Sequence, residues 1–64
     1  MNKIRKLTGE EFEKEPEVPG KLFIVKYKQV GDVIIRQKTF QHKQDVRRIF
    51  DTPLNSEIEV YVKE

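Results

Sequence analysis

Apolar and polar residues follow two different rhythms along this chain. From Leu22 to Val30 (LFIVKYKQV), and again from Val33 to Phe40 (VIIRQKTF), Val, Ile, Phe and Tyr dominate. Such residues suit a pleated, half-buried surface. Gly31-Asp32 between the runs is the turn signal, because glycine takes the positive φ of a tight hairpin turn. Residues 21–41 are therefore predicted to form a β-hairpin. Further on, Val46, Ile49 and Phe50 fall at i, i+3 and i+4, which predicts a helix over His42–Thr52, stopped by Pro53. The last run alternates, with Ile58, Val60 and Val62 on one side and Glu57, Glu59, Tyr61 and Lys63 on the other. It reads as a third strand.

The hairpin register decides which side chains share a face, since a slip of one residue turns a whole strand over. A two-residue turn pairs Val30 with Val33; a three-residue loop shifts the pairing by one. The shifted register puts Phe23, Val25, Tyr27, Val33 and Ile35 on one face. Lys26, Lys28, Arg36 and Lys38, with Leu22, Ile24, Ile34 and Phe40, then occupy the other. The two-residue register spreads the cations over both faces, and burying an unpaired charge costs several kcal/mol. The segregated register is the expected one.

Ahead of the hairpin, Thr8-Gly9-Glu10-Glu11 matches a capping box, with Thr8 as N-cap and Glu11 reaching back. Glu10–Glu15 is thus predicted as a short helical turn anchored by Phe12 and ended by Pro16. Residues 1–7 form either a short edge strand or a loose end. The expected fold is α+β: a three-stranded antiparallel sheet, order 2-1-3, with one helix packed on one face (ββαβ), preceded by the helical turn. It is one small domain, 1–64, made of an N-terminal arm (1–20) and a core (21–64). Phe23, Val25, Tyr27, Val33, Ile35, Ile58, Val60 and Val62 should form its apolar face, covered by Val46, Ile49 and Phe50.

Composition narrows the classes. A chain of 64 residues buries only about 60% of its unfolded surface, so the core is thin. There is no cysteine to staple it, and the basic start is followed by no apolar run. Neither secretion nor membrane insertion is expected, and a cytoplasmic location follows. Net charge is +2, arranged as a basic centre between acidic flanks. That is weaker support for nucleic acid than a uniformly basic chain.

Candidate chemistry is sparse. A nucleophile–base pair would need Ser56 beside His42, without a third group at a recognised spacing. Glu57 and Glu59 could hold a cation, but opposite charges commonly pair across strands, and Lys26 and Lys28 are the expected partners. Pro19-Gly20-Lys21 lacks the glycine spacing of a phosphate loop. The chain is read as no enzyme, with no cofactor and no metal.

What remains is a surface. Lys26, Lys28, Arg36 and Lys38 interleave with Ile34, Phe40 and Tyr61 on the sheet face away from the helix, and these seven are the expected partner-binding residues. Lys43, Arg47 and Arg48 on the outer side of the helix form a secondary basic patch. Apolar groups left on an open face mark an interface, unless the arm folds across using Leu7, Phe12 and Val18. The sequence therefore points to a small non-enzymatic regulatory or inhibitory protein that binds another protein through this face or an edge strand. The alternative is a nucleic-acid-binding module using the same cations and aromatics. Pairing with a second copy is the remaining expectation among partners.

Overall fold

In a computed structural model, which describes residues 3–64, the chain runs β1 (Ile4–Leu7), α1 (Gly9–Lys14), β2 (Leu22–Gln29), β3 (Arg36–Phe40), α2 (Lys43–Asp51) and β4 (Asn55–Lys63). Four strands form one antiparallel sheet in the order β1-β4-β2-β3. The α+β class stands as expected, but the sheet has four strands rather than three. The added strand is β1. Arg5 and Leu7 face the helices from it, while Ile4 and Lys6 face away. With only four residues and two cations, it carries no alternation strong enough to announce a strand.

Both helices lie on the same side of the sheet. Their buried side chains, Phe12 from α1 and Val46 and Ile49 from α2, close over Leu7, Phe23, Val25, Tyr27, Val60 and Val62. Burial of each such side chain stabilises by about 1.5–3 kcal/mol. The Phe12 ring meets Phe23 edge-on at 5.7 Å. Phe50, expected beneath the helix, instead sits at its rim, 43% exposed, with its ring 6.0 Å from Phe12.

The capping box holds α1 as predicted. Glu11 N–H donates to Thr8 Oγ1 at 3.1 Å, and Thr8 N–H donates back to Glu11 Oε1 at 3.0 Å. Hydrogen bonding of the Glu11 carboxylate to Thr8, first to its backbone N–H and then to its side chain, depresses the Glu11 carboxyl below its usual value. The arm does not cross the bare face, as one expectation had it. Its acids meet α2 instead: Arg47 pairs with Glu13 at 3.2 Å and Lys43 Nζ donates to the Glu13 carbonyl at 3.0 Å. Lys43 N–H donates to the Glu17 carboxylate, and Val18 stays exposed.

The arm is pinned by a contact that no spacing announced. Glu15 is buried at the end of α1, where its carboxylate accepts from Lys21 Nζ at 2.8 Å and from Arg5 Nη2 at 3.1 Å. The Lys21 hydrogen bond is the main reason its carboxyl is held below the ordinary range, followed by Arg5 against the opposing effect of burial. One carboxylate thus ties α1 to β1 and to the start of β2.

The hairpin register is the main correction. Phe23 pairs with Phe40, Val25 with Lys38 and Tyr27 with Arg36. This is the two-residue register, so the segregation of cations from apolar residues does not occur. Arg36, Lys38 and Phe40 share the helix side with Phe23, Val25 and Tyr27, whereas Val33 and Ile35 are not core residues at all. The turn fails to set the register because the ladder stops at Tyr27–Arg36 and residues 30–35 lie outside it. Gln29–Asp32 makes a β-turn of its own, with Asp32 N–H donating to the Gln29 carbonyl at 2.9 Å and Gly31 at φ +86. Freed from the turn, Phe40 settles opposite Phe23 and packs against the core. The charge penalty that argued against this register is absent, because the helices do not reach the outer part of β3. Arg36 and Lys38 stay solvated on the helix side.

Candidate functional site

The seven expected partner-binding residues are divided among three places. Lys26, Lys28 and Tyr61 lie on the bare sheet face. Ile34 is in the loop between β2 and β3. Arg36, Lys38 and Phe40 are on the helix side of the edge strand. A single stripe joining them does not exist.

The bare face has rows set by the ladder: Ile4–Lys63–Leu22, then Lys6–Tyr61–Ile24–Thr39, then Glu59–Lys26–Gln37. Its charges are largely engaged with one another. Glu59 pairs with Lys6 at 3.1 Å and accepts the Tyr61 hydroxyl at 2.8 Å. That hydroxyl bond, then Lys6, lowers the Glu59 pKa; the same bond raises that of Tyr61. Lys26 Nζ lies 5.3 Å from the Tyr61 ring centroid, and Lys28 pairs with Glu57 at 3.4 Å. Glu59 therefore turns to Lys6 rather than to its cross-strand neighbour Lys26. Glu57 sits at a bulge in β4 with φ 51, where the register against β2 shifts between Lys26 and Lys28. Leu22, Ile24 and Tyr61 are half-buried between these long side chains.

The cations of the secondary patch are paired within the fold while remaining at its surface. Lys43 and Arg47 hold Glu13 and lie 5.4 and 6.0 Å from the Phe12 ring, and Arg48 pairs with Asp45 at 3.5 Å. Lys43 and Arg47 join the helices to each other, whereas Arg48 stays within α2. Ser56 and His42 are likewise engaged apart: Ser56 Oγ donates to the Lys28 carbonyl at 3.3 Å, and His42 Nδ1 faces Glu17 at 3.8 Å. Among the described residues, no three His, Cys, Asp or Glu side chains gather as a metal site would require, and no buried polar side-chain atom lacks a partner.

The surface that stays unspent is the outer end of the hairpin. Among the described residues β3 is an edge strand with no neighbour beyond it, and Arg36, Gln37, Lys38 and Thr39 are exposed along it. Lys38 makes no ion pair among the described residues, while Arg36 is held by Asp32 at 3.2 Å across the loop. Immediately before β3, Val30, Val33, Ile34 and Ile35 are exposed, Val33 at 89%, and Leu54 is exposed next to them. Val30 N–H donates to the Leu54 carbonyl at 2.8 Å, which fixes the two segments side by side. Five aliphatic side chains thus project from one end of the sheet beside an open strand. Sequence patterning picks out only Ile34 of this group and assigns Val33 and Ile35 to the core, because VGDVII reads equally well as strand and buried core; the signal that could have found the rest is the surplus of aliphatic residues over what one short helix can cover.

No helix among the described residues is long and apolar enough to cross a membrane. Comparison of the chain with protein-family models, curated proteins and solved structures returns no match to any of them.

Proposed function

We propose that this chain is a small non-enzymatic binding protein that regulates or inhibits another protein by receiving one of its segments along the β3 edge. The observation that carries the proposal is the pairing of an open strand with the aliphatic loop 30–35 at its head. Edge strands offer a row of backbone donors and acceptors that a partner strand can complete. Edge cations by themselves are ordinary protection against unwanted pairing. An exposed aliphatic group beside the same edge works against such protection, and contiguous patches of this kind mark interfaces. The bare sheet face gives less support, since its cations are mostly matched by Glu57 and Glu59.

Capture from the native host tests the proposal, with the full chain compared against an Ile34→Asp/Lys38→Glu variant and with nuclease treatment in parallel. Both substituted side chains are exposed, so the variant keeps its fold. The expected result is a protein retained by the natural chain, lost with the variant and indifferent to nuclease. Retention that nuclease abolishes would transfer the function to nucleic acid, whose phosphate contacts also weaken steeply with salt. Equal retention by the variant would remove β3 from the account.

A further inference from the structure

Resting on that reading of the β3 edge, we infer that the segment it receives is an acidic extended strand, antiparallel to β3, with carboxylates at alternate positions and an aliphatic residue following them. Antiparallel pairs are the commoner kind and need no particular connection. Residues directly opposite on neighbouring strands have Cβ atoms about 4.5–5.5 Å apart. An incoming strand therefore sets every second side chain against Arg36 and Lys38, the two cations that β3 presents on its helix side. β3 itself (RQKTF) supplies no acid to match them.

One of the two cations already shows the contact expected. Asp32 reaches across the loop to Arg36 at 3.2 Å, so the guanidinium is already presented to a carboxylate, and an incoming acid that takes its place keeps Arg36 paired while Asp32 turns to solvent. Lys38 has no such occupant among the described residues. Running antiparallel, the partner passes Lys38, then Arg36, and then meets Val33, Ile34 and Ile35, which places its aliphatic residue on the C-terminal side of its acids.

A second copy of the chain fits the edge poorly. Antiparallel pairing of β3 with itself centred on Lys38 sets Lys38 against Lys38, centring on Gln37 sets Arg36 against Lys38 twice, and centring on Thr39 sets Lys38 against Phe40, so none of the three brings an acid to the cations. Like charges directly opposite are destabilising.

The test uses the full ¹⁵N-labelled chain and a short peptide of alternating Glu and Thr ending in Ile-Val, observed by two-dimensional NMR. Its comparators are the same peptide with Lys for Glu, and one N-methylated at alternate backbone amides. The acidic peptide should shift the amides of Arg36–Phe40, and the lysine peptide should bind at least about tenfold more weakly, as two inverted cross-strand pairs require. In an Arg36→Glu/Lys38→Glu variant the preference should reverse. N-methylation should abolish the shifts. Equal binding of acidic and lysine peptides at β3 overturns the acidic partner and leaves the edge reading standing. Full binding by the N-methylated peptide, or shifts confined to Lys26, Lys28 and Tyr61, overturns strand addition. Doubling of mass in sedimentation without peptide overturns it in favour of a second copy.

Discussion

The two edges of the sheet are built from similar residues and treated in opposite ways. β1 carries Arg5 and Lys6 between Ile4 and Leu7; β3 carries Arg36 and Lys38 before Phe40. At β1 the helix that follows turns back over the strand. Leu7 and Phe12 are buried, Thr8 caps α1, and Arg5 is tied through Glu15 to Lys21. At β3 the helix that follows, α2, covers only the Phe40 end and leaves residues 36–39 in the open. The strand's charged side chains stay in water and the loop ahead of it projects aliphatic groups outward. The difference teaches that an edge cation has no fixed meaning: whether the helix that follows brings a buried carboxylate to it decides if it locks the fold or remains open to a partner.

Substitutions should reproduce the contrast in order of size. Phe12→Ala removes a ring packed on Phe23 and Phe50 and should lose about 3–5 kcal/mol, much of what a domain of this size possesses. Chemical denaturation measures it, and a loss below about 1 kcal/mol would show that α1 is not part of the core. Next comes Glu15→Gln, which leaves Lys21 poorly matched and should lose about 2 kcal/mol. Its signature is pH dependence. Because the folded carboxyl is held below its ordinary value of 4.5, the stabilisation is complete above that pH. It disappears as pH falls below 4.5 towards the depressed folded value. The variant should therefore lose less stability than the natural chain on acidification through that window, and identical acid limbs would contradict the clamp.

Thr8→Ala should cost about 1 kcal/mol through loss of the cap, read in the same denaturation series. At the other edge, Lys38→Ala and Ile34→Ser should each stay within about 0.5 kcal/mol of the natural chain. A larger loss at either position would mean that β3 is structural after all, and would erase the contrast.

Much of the scaffold was legible in residue order because its signals are local. The Thr8–Glu11 box, the Val46–Ile49 stripe and the alternation of Ile58, Val60 and Val62 each act within a few positions, and each forms. The register of β2 against β3 was not legible. It would have been local had Gly31 belonged to a tight hairpin turn, but with residues 30–35 outside the ladder it depends on Phe40 finding Phe23. Buried charge does not decide the register at Arg36 and Lys38, because a side chain can point to the helix side of a sheet and still be wet when its strand lies at the edge. The Glu15 clamp was hidden because its partners stand ten residues before it and six after it, a spacing that belongs to no motif. Of the candidate site, Ile34, Arg36 and Lys38 were legible as residues, whereas their division among loop and strand faces was not.

The claim that β3 is the working edge and β1 the fastened one is tested most directly by site-specific photo-cross-linking in the native host. A photo-reactive side chain is placed at Gln37 on β3 and, separately, at Lys6 on β1, both exposed and both directed away from the helices. The account predicts a discrete protein adduct from Gln37 and none from Lys6. An adduct from Lys6 alone, or a cross-linked pair of this same chain from Gln37, would contradict it.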